Sequence, residues 1–115
     1  MSDTACDYTK YRTIKRHPEV GSGQIIALHP ERVKVGGMVT FDLTADVTLE
    51  DWVEISDGVQ IFTHKHHWRH SRGLRAKIQR VTPHPLRIGE DAFIGVSAII
   101  LGGVRVIGKG AVVGA

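Results

Sequence analysis

The stretch Leu86 to Ala115, LRIGEDAFIGVSAIILGGVRVIGKGAVVGA, decides how this chain folds. Aliphatic residues recur in it every six positions, at Ile88, Ile94 and Ile100, and after one extra residue the beat resumes at Ile107 and Val113. Glycine directly follows four of these five: Gly89, Gly95, Gly108 and Gly114. Small or β-branched residues stand four positions after an aliphatic, at Ala92, Ala98, Val104 and Ala111. A period of six suits neither a helix at 3.6 residues per turn nor a lone strand at 2. It suits short, equal, flat strands with a corner between each pair. The repeating aliphatic points into a shared narrow core, and the glycines are expected to give the corners their backbone freedom.

Outward from this stretch, a weaker six-residue beat runs back to Val33. Val35, Phe41 and Val47 share one register, and Leu49, Ile55 and Ile61 share another, two residues on. The slip between Val47 and Leu49 reads as a two-residue corner insertion. Val39, Ala45, Val53 and Val59 fill the intermediate slots, with turn-forming residues at Gly36, Asp42, Asp51, Asp57 and Gly58. Trp52 falls at an outward or corner slot. Residues 63–85, THKHHWRHSRGLRAKIQRVTPHP, interrupt the beat, with Pro83 and Pro85 barring strand continuation. Insertions in a solenoid lie outside its core as loops. Residues 1–32 show no beat and are expected to form an N-terminal cap or extension. Within them Asp7 to Lys15 has weak helical character, and Gln24 to Leu28 reads as a strand that starts or caps the solenoid. The domain expected is therefore residues 33–115. A sandwich of short strands is the alternative, and it does not call for strict sixes.

With 115 residues there is room for one domain. The charged fraction of 23% and hydrophobic fraction of 42% are those of a soluble chain. No apolar run is long enough to span a membrane and no apolar segment follows the N-terminus, so the expectation is a cytoplasmic protein. The single cysteine, Cys6, excludes an internal disulfide. Charge is uneven: His64 to Arg87 holds seven basic residues and no acidic one, which leaves eight basic against twelve acidic residues elsewhere. This basic segment either neutralises phosphates of an anionic ligand or is simply solvated. It lacks interleaved aromatics apart from Trp68, so nucleic acid is not the expected partner.

The spacing and the glycines resemble the hexapeptide-repeat acyltransferases, and in particular the maltose- and galactoside-type sugar O-acetyltransferases. That resemblance implies a left-handed parallel β-helix, a homotrimer, acetyl-CoA as co-substrate with no permanently bound cofactor, and a sugar-like acceptor. Members typically continue past the point where this chain stops, so the last coil is expected to be incomplete at Ala115. Laid on the family's threonine-rich segment ending in histidine-proline, Ile61-Phe62-Thr63-His64-Lys65-His66-His67-Trp68 puts His66 at the catalytic histidine and His67 in place of the proline, with His64 the next candidate. A neutral imidazole suits the task, because an acyl thioester is already activated and only one proton must leave the acceptor. The resemblance further implies acyl-CoA contacts from Gly95, Ser97, Gly114 and Ala115, and acceptor contacts from Asp42 and Trp68. No metal is expected. The γ-class carbonic anhydrases share the solenoid and use three histidines for zinc, but their pair of histidines separated by four residues is absent here. A metal-dependent enzyme of that kind and a non-catalytic solenoid are the rival readings. His17 and His29, both before proline, and His70 and His84 are expected in solvated loops.

Overall fold

The structure, a computed structural model, describes residues 12–67 and 80–115, and only the backbone at His67 and Arg80. It is a parallel β-helix with three faces. The first face carries β2 (Ile25–Ala27), β5 (Val47–Leu49), β10 (Leu86–Ile88) and β13 (Val106–Ile107). The second carries β3 (Lys34–Val35), β6 (Glu54–Ile55), β11 (Phe93–Ile94) and β14 (Val112–Val113). The third carries β1 (Thr13–Lys15), β4 (Thr40–Asp42), β7 (Gln60–Ile61) and β12 (Ile99–Ile100). Every pairing within the three faces is parallel, which removes the sandwich alternative. A short antiparallel ribbon, β8 (His64–His67) with β9 (Arg80–Pro83), leaves the solenoid where the beat breaks.

The repeat aliphatics stack in three columns. Ala27, Leu49, Ile88 and Ile107 align on the first face. Val35, Ile55, Ile94 and Val113 align on the second, and Ile14, Phe41, Ile61 and Ile100 on the third. Each column turns one residue inward per coil, only partly buried at Ile14, Ala27 and Val113, and the slot four positions on is filled by Val39, Val53, Val59, Ala92 and Ala98, all buried. The core is thus a stack of thin layers whose stability comes from neighbouring coils.

Three expectations change. Residues 13–15 form a strand, not part of a helix, and β1 and β2 draw the described part of residues 1–32 into two faces of the solenoid. Val47 and Leu49 both point inward from β5, since alternate residues of a strand share a face. The extra residues therefore lie earlier, in the corner 43–46. The glycines after the aliphatics do not supply left-handed corners either. Positive φ occurs three residues after the aliphatic, at Met38, Trp52, Gly58, Asp91, Ser97 and Gly110. Gly36, Gly89 and Gly95 are instead spots of close approach, where a Cβ would stand 2.2, 2.7 and 2.9 Å from an atom of the next coil. Trp52 lies outside the core as expected, with the Arg32 guanidinium 5.6 Å from its ring centroid.

Candidate functional site

Nearly all the irregularity of the chain falls at one edge of the prism, where the third face turns into the first. Successive column residues across it are Ile14 and Ala27, Phe41 and Leu49, Ile61 and Ile88, and Ile100 and Ile107, none of them six apart. At the other two edges only the step from Ala27 to Val35, which holds a 3-10 turn at Pro30–Arg32, departs from six. Extra residues that stack above one another on one edge build a local structure that the regular coils cannot provide.

At its centre is Asp42, whose side chain is 1% exposed. Thr44 donates to Oδ1 through its hydroxyl at 2.6 Å and through its backbone N–H at 3.2 Å. The Thr63 N–H donates to Oδ2 at 2.9 Å, and His64 Nδ1 lies 2.6 Å from the same oxygen. Four donors saturate the carboxylate. Burial alone would raise its pKa, but the Thr44 hydroxyl, the Thr63 amide and His64 outweigh that and hold it below the ordinary value of 3.8. An ionised carboxylate can only accept, so Nδ1 of His64 carries the proton and Nε2 of the neutral ring carries the lone pair.

The threonines tie three coils together. The Thr63 hydroxyl donates to the Asp42 carbonyl at 2.7 Å and accepts from the Ala45 N–H at 2.9 Å. The Thr44 hydroxyl accepts from the His17 N–H at 2.9 Å. From the next coil Gly102 lies flat against β8: a Cβ there would stand 1.9 Å from the His64 carbonyl oxygen. The backbone of His64 is therefore packed directly against the next coil, and its ring is held by Asp42.

Beyond Asp42, His64 is 17% exposed at its side chain, and its Nε2 lies 3.2 Å from Nε2 of the exposed His66. The two ring centroids are 5.0 Å apart, and the His17 ring stands 5.9 Å from His64 and 6.3 Å from His66. His17 thus belongs to this cluster, contrary to the solvated loop expected. His84 is buried too, its N–H donating to the Thr63 carbonyl at 2.7 Å. His29 pairs with Asp51 at 2.8 Å, away from the cluster on a different edge.

The residues expected to act are only partly brought together. His64, His66 and Asp42 meet, with Asp42 beneath His64 rather than open to a ligand. Gly95, Ser97, Gly114 and Ala115 occupy the edge between the second and third faces. There Ser97, at φ +60°, borders a groove of about 470 Å³ with Met38, Gly58, Gln60 and Val96. Within one chain this edge and the histidine edge are separated by the width of the third face. Trp68 and His70 lie outside the described residues. Thr44, Thr63, His17 and Gly102 were not singled out from sequence. The signal that could have found them is the recurrence of extra residues at one corner.

The Asp42 cluster has a measurable consequence in acid. A carboxylate held below its unfolded pKa stabilises the fold above that pKa, and the contribution is lost as pH falls through the folded value. Thermal melts should therefore show the melting temperature falling below about pH 4. The fall should be shallower in Asp42→Asn. It should not vanish, because Glu50, held by Arg87 and the Glu90 amide, and Asp51, held by His29 and Arg32, are lowered as well.

No protein-family model and no curated protein matches the sequence. Among solved structures the chain is similar to AntD, an N-acyltransferase from Bacillus cereus crystallised with dTDP and 3-hydroxybutyryl-CoA. The TM-score is 0.66 at 17% identity, over 92% of this chain and 64% of that one. The likeness establishes a shared fold, and this chain spans a little under two thirds of the length of AntD. Among the described residues no helix is long and apolar enough to cross a membrane.

Proposed function

We propose that the chain is an acyl-CoA-dependent acyltransferase in which His64 is the general base and Asp42 holds it. The observation that carries this reading is the 2.6 Å contact between a buried, saturated carboxylate and His64 Nδ1, which leaves Nε2 as the basic nitrogen on the outer side. The hexapeptide spacing and the fold shared with an acyltransferase support the reaction class. As an acceptor hydroxyl or amine attacks the thioester carbonyl, Nε2 takes its proton. The tetrahedral centre collapses with cleavage of the C–S bond, and the leaving thiolate is protonated to give free CoA. Asp42 stabilises the imidazolium formed on the way. The sequence alone favoured His66. His64 is preferred because the Asp42 carboxylate fixes its tautomer and ring orientation, while His66 adjoins the basic nitrogen.

The acceptor is a sugar-like hydroxyl or amine, and acetyl-CoA is the first donor to try. The Gly95–Ser97 edge and the histidine edge lie apart on one chain, so a donor bound at the former meets the latter of a neighbouring copy, as in a homotrimer. The direct test is thiol release from acetyl-CoA and 3-hydroxybutyryl-CoA in the presence of a panel of sugars, aminosugars and their nucleotide conjugates. Release that depends on an acceptor and on His64 supports the reading. No acyl transfer to any acceptor, with no CoA bound, sinks it.

Gly102→Ala gives a second check. The methyl group has no room beside the His64 carbonyl, so β8 must shift. A displacement of about 1 Å in a positioned base costs on the order of 10²-fold. The loss should appear in kcat more than in KM, with cooperative unfolding retained.

A further inference from the structure

We infer that the facing Nε2 atoms of His64 and His66 form a two-nitrogen seat for a borderline-soft divalent cation of the zinc type, and that an ion there blocks the base. Two nitrogens bound at about 2.05 Å to one tetrahedral ion stand roughly 3.3 Å apart. The two Nε2 atoms are 3.2 Å apart. The other ring nitrogen of His64 is held by Asp42, and a carboxylate behind a ligating imidazole is the arrangement that fixes the tautomer and raises the basicity of a metal-bound histidine. The carboxylate also places a negative charge behind the first ligand. His17 stands beside both rings, and its Nδ1 accepts the Glu19 N–H at 3.2 Å, so Nε2 is the nitrogen it could bring to the ion. Among the described residues no three such groups close around one point, so the seat is a two-histidine site completed by water or by movement of His17.

In the absence of metal the two Nε2 atoms lie at hydrogen-bond distance from each other, and the cation replaces that contact. Bound to Nε2 of His64, it removes the lone pair that the proposed acyl transfer needs, and this regulatory consequence rests on that reading. The cation site itself does not.

Zinc binding is therefore measured without donor or acceptor. The full chain is stripped with chelator and titrated with Zn²⁺ by calorimetry, and Co²⁺ is followed by its visible spectrum. One ion per chain is expected at this seat. His64→Ala and His66→Ala should each weaken it at least tenfold, and Asp42→Asn by about 10–100-fold, the range for loss of a carboxylate behind a ligand. His29→Ala, at the distant Asp51 pair, should leave it unchanged. Zinc binding of unchanged affinity and stoichiometry in either His64→Ala or His66→Ala would overturn the site and mark the metal as adventitious. Zinc bound through both histidines with acyl transfer undiminished would overturn the proposed blockade. Because circular dichroism and melting report folding separately, a variant that fails to fold is recognised, and His66→Gln, at an exposed position, then replaces it.

Discussion

His64→Ala is expected to lower the turnover of acyl transfer by about 10²–10⁴-fold at saturating donor, the usual contribution of a positioned general base. The chain should still fold, because the ring is not part of the hydrophobic core and the strand pairing of β8 with β9 runs through the backbone. Asp42→Asn should move turnover in the same direction. An amide in that place offers its N–H₂ as readily as its oxygen, so the Nδ1–H tautomer of His64 is no longer enforced. His66→Ala should have the smaller effect, since His66 touches the base without holding it. Stopped-assay turnover on the three variants separates the two histidines. If His64→Ala retains its rate and His66→Ala loses it, the base is His66, as the family alignment suggested, and His64 is the link between His66 and the carboxylate.

Phe41→Ala should be the most damaging single change to stability, at about 3–5 kcal/mol. Phe41 is fully buried in the third-face column, directly between Ile14 of the coil before and Ile61 of the coil after. A solenoid layer has few residues with which to fill a void, so the neighbouring coils cannot collapse far into the space. Against a total stability of roughly 5–15 kcal/mol the loss takes a large share. The effect reaches function as well, because Asp42 is the next residue on β4. Denaturant unfolding at fixed protein concentration measures it, with Lys34→Ala on the exposed side of β3 as a control expected to lie within about 0.5 kcal/mol. A Phe41→Ala chain that unfolds at the wild-type midpoint would mean that the layers are not packed as described.

The architecture was legible because it is periodic. Ile88, Ile94, Ile100, Ile107 and Val113 each face the same narrow interior, and a six-residue step leaves no other common solution for them. The corner chemistry was read less well. The glycines that follow most of these aliphatics suggested left-handed turns, yet positive φ falls two residues later, at residues as different as Met38, Asp91 and Ser97. Sequence shows that a glycine is needed without showing whether φ or a neighbouring coil requires it. Gly95 is needed for the second reason, and Gly58, at φ +73°, for the first.

The site was less legible, for a related reason. Asp42 and His64 were both singled out, one for an acceptor and one as a reserve base. Their partnership depends on stacking, because 22 residues of chain separate them and only the register of β4 on β7 brings the ends of those strands into the same corner. Thr44 and Thr63 look like ordinary loop residues until the stacking turns their hydroxyls onto one carboxylate and one carbonyl. His17 arrives from still further away through β1.

By itself, then, the sequence of Leu86 to Ala115 determined a solenoid of short flat strands around thin aliphatic layers, since periodicity is a local property that burial enforces at every coil. Only the tertiary structure decided which histidine is held by a carboxylate and that four irregular corners lie on one edge. Those are relations between coils, fixed by register and by the saturated charge of Asp42 buried among them.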